Sequence, residues 1–84
     1  VQKSFDKVFD PYRFRAEFTD LWSGYLRDSF RNVEAVAVAF DVTFQTACNW
    51  WNGTHRPSGD KVALAALRDP QRFAASMLPI KRAA

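Results

Sequence analysis

Apolar residues recur with a helical period from the eleventh residue onward. Phe14, Phe18, Leu21, Trp22 and Tyr25 stand at i, i+4, i+7, i+8 and i+11, which is one face of a helix of about 16 residues. Asp10-Pro11 opens it, an acceptor followed by a proline whose missing N–H costs nothing at the first helical position. The helix should close near Arg27–Ser29, with Phe30 plugging the core from the connection. Asn32 caps a second helix, with Val33, Val36, Ala37 and Phe40 on its buried stripe, ending at Asp41. Asp41-Val42-Thr43 then forms a tight turn. Thr43 caps a third helix, with Phe44, Ala47, Trp50 and Trp51 on the apolar side, and Gly53 stops it. Ser58 or its neighbours open a fourth helix carrying Val62, Leu64, Ala65 and Leu67. Asp69-Pro70 repeats the cap-and-proline signal for a fifth, which runs to about Leu78 before Pro79 ends it. No segment alternates as a strand does, and Asn52-Gly53 lies between helical segments. The pattern predicts an all-α fold, a compact bundle of about five helices. It occupies residues 11–78, with an N-terminal arm over 1–10 and a C-terminal tail or linker over 79–84.

Composition narrows the class. Among 84 residues, 48% are hydrophobic and 25% charged, which is ordinary globular usage. Eight Phe, three Trp and two Tyr offset the small size with large side chains. No apolar run approaches the ~18 residues of a membrane span. The single cysteine, Cys48, excludes an intrachain disulfide framework and a cysteine-rich zinc site; it is expected to be a half-buried, inert thiol. With no charged-then-apolar leader at the start, a free thiol favours a cytoplasmic setting. Enzyme chemistry fails on inventory. His55 has no partner at triad or metal-ligand spacing, Glu17 and Glu34 fall on different helices, and no glycine-rich phosphate loop is present. The expectation is a non-enzyme without cofactor or metal.

The informative stretch is Asn32 to Pro57, NVEAVAVAFDVTFQTACNWWNGTHRP, with the motif itself over about 32–52. Two short helices separated by a three-residue turn make a helix-turn-helix arrangement. The stretch resembles the Cro and lambda-repressor (XRE-type) family of DNA-binding domains. Ala37 matches the small residue of the motif's first helix. Val42 and Thr43 match the apolar and capping residues of its turn, and Ala47 matches the buried small residue of its second helix. Trp50, Gly53 and Pro57 match a W-x-x-G-x-x-x-P ending. The resemblance spans Phe18 to Leu67 and implies a lambda-repressor-like fold and a transcriptional regulator of the bacterial or phage kind. Two positions depart from it. Asp41 stands where the family usually has glycine, and Asp tolerates left-handed backbone better than most residues. Trp51 stands where the family often has a glutamate paired with an arginine of the first helix; it is expected to pack on that helix near Trp22 or Phe18.

The third helix divides by angle. At ~100° per residue from Ala47, Phe44, Trp50 and Trp51 fall within about 60°. Gln45, Asn49 and Asn52 fall opposite, and Thr46 lies beside them. Asn and Gln can bond bidentately to adenine in the major groove, so Gln45 and Asn49 are expected to read bases. The resemblance adds Phe44 and Thr46, although Phe44 sits at the edge of the buried arc and is expected to straddle it. Phosphate contacts are expected from Arg31 and Asn32 at the start of the motif, where helix amides can receive an anion. Asn52, Thr54, His55, Arg56 and Lys61 would supply more beyond its end. At a net charge of +3 this cationic set is thin, so a homodimer on double-stranded DNA is expected. Arg13, Arg15, Arg68 and Arg72 are expected on solvated faces. The rival reading is a protein-interaction module on the same fold, an antirepressor or polymerase adaptor. Its motive is a surplus of aromatics: Phe5, Phe9, Tyr12 and Phe73.

Overall fold

The computed structural model describes residues 10–78. The rest of the expected arm, with Phe5 and Phe9, and the tail 79–84 lie outside the described residues. Among the described residues five α-helices follow one another: α1 (Pro11–Ser29), α2 (Val33–Phe40), α3 (Phe44–Trp51), α4 (Gly59–Arg68) and α5 (Pro70–Met77). There is no strand among the described residues. Among the described residues no helix is long and apolar enough to cross a membrane. The long α1 packs on α5 and α3, α2 packs on α3, and α4 lies against α5.

The helix starts follow from local chemistry. The Asp10 carboxylate accepts from the amides of Tyr12 and Arg13 at 3.0 and 3.5 Å. Asn32 Oδ1 accepts from Ala35 N at 2.9 Å, and Thr43 Oγ1 from Thr46 N at 3.1 Å. Asp69 Oδ1 accepts from Arg72 N at 3.4 Å. Each bond satisfies a first-turn amide that the helix itself leaves open. Ser58 begins α4 without such a bond; its hydroxyl donates instead to Asp60 Oδ1 at 2.5 Å.

Trp22 is the hub of the core. It is fully buried and its ring meets Trp50 edge-on at 5.6 Å, Phe40 at 5.7 Å and Phe73 at 6.4 Å, with Phe18 stacked at 6.3 Å. Edge-on pairs of this kind add ~0.5–1.5 kcal/mol each beyond the area they bury. Leu21, Tyr25 and Leu26 of α1, Val36 of α2, Ala47 of α3, Ala65 of α4 and Met77 of α5 complete the buried set. Phe30 bridges Tyr25 and Phe40 at 6.5 and 5.7 Å, the plug the sequence suggested. The Trp22 indole N–H is buried without a hydrogen-bond acceptor.

Several expectations need correction. Leu64 and Leu67 are exposed, Leu67 to 82%, while α4 buries Ala65. With Ala65 turned inward, helical geometry puts Leu64 ~100° to one side and Leu67 ~160° away. Phe44 is 55% exposed, so it leaves the apolar side of α3 for the surface. Phe73 is no surplus aromatic, since its ring packs on Tyr25 at 5.4 Å as well as on Trp22. Tyr12 is exposed.

Candidate nucleic-acid interface

Helix α3 has a strongly divided surface. Ala47 and Trp50 are buried against the core, and Trp51 is half-buried beside them. On the outward side Gln45 is exposed and Asn49 half-buried. Gln45 Nε2 donates to Asn49 Oδ1 at 3.1 Å, a bond between side chains one helical turn apart. It uses one hydrogen and one lone pair, leaving donor and acceptor capacity on both amides. Thr43 Oγ1 donates to Thr46 Oγ1 at 3.0 Å, so the Thr46 hydroxyl is held beside the cap. Phe44 is exposed at the N-terminal end of α3, about 100° round the helix from Gln45. Helix α3 contains no charged residue. Cys48 is half-buried on its flank.

The residues expected at phosphates are less uniform. Arg31 is exposed and has no side-chain partner among the described residues. Asn32 is exposed, but its carboxamide oxygen is engaged as the cap of α2, and Glu34 occupies the first turn of that helix. A carboxylate there opposes an incoming anion. Asn52 is the exposed cap residue of α3. Thr54 Oγ1 donates to Asn49 O at 3.1 Å and lies 3.0 Å from His55 Nδ1. The Arg56 guanidinium donates to Arg15 O at 3.0 Å, which ties it to α1. Lys61 is half-buried, its Nζ 3.9 Å from Asp60 Oδ2. The Ser58 hydroxyl holds the Asp60 carboxyl below its ordinary value of 3.8.

Charge placement sharpens this picture. Residues 10–78 hold as many Asp and Glu as Lys and Arg. The chain's net +3 arises from Lys3, Lys7, Lys81 and Arg82 against Asp6. Much of the cationic charge within the bundle is also committed to structure. Arg27 donates through Nε and Nη2 to Trp51 O at 3.1 and 2.8 Å and lies 5.0 Å over the Trp51 ring. Trp51 therefore meets α1 through Arg27 and Ser23, not through the rings of Trp22 or Phe18. Arg68 donates to Ala39 O at 3.0 Å and lies 5.4 Å over Phe40. Arg72 bonds Asp69 at 3.1 Å and Asp28 O at 3.3 Å. Arg13 pairs with Glu17 at 3.0 Å. Arg68 and Arg72 are exposed, as expected, and tie helices together as well. One sequence signal pointed to such ties. Neither α2 nor α3 has a basic residue in its last turn, although the carbonyls there attract cations.

Comparison of the chain with family models, curated proteins and solved structures finds no match. The likeness to repressor-type domains rests on this chain's own residues.

Proposed function

We propose that this chain binds double-stranded DNA sequence-specifically as a transcriptional regulator, with α2 and α3 as a helix-turn-helix and α3 in the major groove. The observation that carries the reading is the uncharged outward face of α3. There Gln45 and Asn49 form a bonded amide pair, with the ring of Phe44 exposed at the N-terminal end of the helix. Paired amides hold each other's rotamers, so less side-chain freedom is lost when they meet adenine N6 and N7. The Phe44 ring suits a thymine methyl, and Thr46 and Asn52 flank the amides. Arg31, Arg56, Thr54 and His55 supply the backbone grip, with Asn32 at the opposite end of the motif. With an electroneutral bundle, few phosphates are neutralised, so binding by one copy is weak and base contacts carry a large share of it.

The test is selection from a randomised duplex pool at low salt, followed by sequencing. An enriched motif supports the reading. Gln45→Ala should then cost about 1–3 kcal/mol on that motif and relax one base-pair position. Retention without any motif, or a preference unchanged by Gln45→Ala, would overturn the base-reading role. A protein-interaction module of the antirepressor or adaptor kind is the second reading, favoured by that same charge balance and by exposed Tyr12, Val38 and Leu67. No retention of DNA would favour it.

A further inference from the structure

The bond between Gln45 and Asn49 decides what Gln45 can still offer a ligand. Gln45 Nε2 donates to Asn49 Oδ1 at 3.1 Å. A carboxamide has two N–H groups and one oxygen, so Gln45 keeps one donor and its acceptor oxygen. That remainder is the complement of one base edge in the major groove. Adenine presents the N7 acceptor and the N6 amino donor side by side, whereas guanine presents two acceptors. Thymine presents one acceptor and cytosine one donor, so adenine alone takes both groups. Gln45 is exposed, and α3 holds no charged side chain that could replace its contact.

We infer, resting on the DNA reading proposed above, that methylation of adenine N6 switches this site off. The exocyclic amine of a paired adenine has two hydrogens. Thymine holds one, and only the other faces the major groove. A methyl group on N6 leaves the base pair intact only when it takes the groove-facing place. It then removes the hydrogen that Gln45 Oε1 accepts and sets a methyl group against that oxygen. A site built to hydrogen-bond a group rejects the analogue that lacks it, because its own polar atom is left unpaired. Gln45 cannot turn aside without giving up its bond to Asn49, which is itself half-buried. Phosphate contacts make up little of the loss. Residues 10–78 hold as many acidic as basic residues, Arg56 is tied to Arg15 O, and Lys61 lies 3.9 Å from Asp60 Oδ2. Base contacts therefore carry a large share of the binding. The ligand class is duplex DNA with an unmethylated adenine at the Gln45 position, and adenine methylation is the signal that releases the chain.

Fluorescence anisotropy with the full 84-residue chain tests it, on the duplex selected from the randomised, unmethylated pool. Each adenine of the selected motif is replaced in turn by N6-methyladenine, at low salt. One position should weaken binding about tenfold to a hundredfold, and N6-methyladenine outside the motif should change nothing. Gln45→Ala, with helical circular dichroism unchanged, should bind the unmethylated duplex less tightly. It should also bring the affinity ratio of the two duplexes at that position to about one, since the coupling between Gln45 and N6 is gone. An adenine analogue with carbon in place of N7 should weaken the wild type at the same position and leave Gln45→Ala unaffected. A motif bound equally well with every adenine methylated overturns the inference. A methylation effect that persists in Gln45→Ala, or a motif without adenine, overturns it as well. The two proposals fail distinguishably. A chain that selects a motif and ignores N6-methylation loses only this inference, while a chain that retains no DNA, or retains it without a motif, loses the DNA reading and this inference with it.

Discussion

Helices α2 and α3 reach their C-termini by the same device, built from different residues. In α2, Asp41 takes left-handed backbone at φ 55°, its N–H bonds Val38 O at 3.4 Å, and Val42 N–H bonds Ala37 O at 3.1 Å. In α3, Gly53 takes φ 75°, its N–H bonds Trp50 O at 3.1 Å, and Thr54 N–H bonds Asn49 O at 3.0 Å. Both are Schellman closures, with paired bonds satisfying carbonyls the helix leaves open. Each end also borrows an arginine from another helix. Arg27 caps α3 above the ring of its last residue, Trp51, and Arg68 caps α2 above the ring of its last residue, Phe40. The α3 end is the more firmly made. It has glycine at the left-handed position, two arginine donors on one carbonyl and the Ser23 hydroxyl on the same oxygen at 2.5 Å. The α2 end has an L-residue in left-handed backbone and one arginine donor. The difference shows which turn the fold holds hardest: the one that seats the candidate reading helix on α1.

Replacing Gly53 strikes the stronger end and has the largest expected effect. A Cβ there would lie 3.4 Å from Asp20 Oδ1 and 3.7 Å from Thr19 O, so room exists and the backbone is the obstacle. Gly53→Ala should cost about 1–2 kcal/mol from left-handed strain alone, and Gly53→Val more. Urea unfolding of the variants measures it. A loss near zero would mean that α3 closes equally well without glycine.

The arginine caps come next. Arg27→Met keeps an apolar stem against Trp51 and removes the donors, and should cost about 1.5 kcal/mol, at the low end for charged hydrogen bonds. Arg68→Met removes one donor and should cost about 1 kcal/mol or less. Equal losses would erase the inferred difference between the two ends.

The two ends also show what was legible in the chain. Gly53 announced its turn, and Asp41 was anticipated as left-handed by the resemblance, because both are decided by a few adjacent residues. The caps at Asp10, Asn32, Thr43 and Asp69 were legible for the same reason, and the α1 stripe because its period sustains itself over five apolar residues. Arg27 and Arg68 were not, since their acceptors lie 24 and 29 positions away and only the packing of helices brings them together. Of the four apolar residues named for α4, Ala65 and Val62 face the core and Leu64 and Leu67 do not, because the sequence list spans more than one face of the helix. On α3, exposure of the amide face followed from angle alone. The bond between Gln45 and Asn49 and the tethering of Arg56 needed the assembled structure.

The smallest expected effect concerns Asp41 and has the opposite sign. Asp41→Gly relieves left-handed strain, worth at most about 1–2 kcal/mol and less for Asp, and adds chain entropy to the unfolded state, worth about 0.5–1 kcal/mol. The net should be a gain of about 0.5 kcal/mol, seen as a higher urea midpoint at unchanged slope. Electrostatics separates backbone from charge. The Asp41 carboxylate follows the negative end of α2, which disfavours it, and precedes the positive end of α3, which favours it. These contributions oppose one another, so Asp41→Asn, which keeps a residue tolerant of φ 55°, should leave stability within about 0.5 kcal/mol. If Asp41→Asn stabilises as much as Asp41→Gly, the weakness of the α2 end is its charge and not its backbone. The contrast with Gly53 would then be electrostatic in origin.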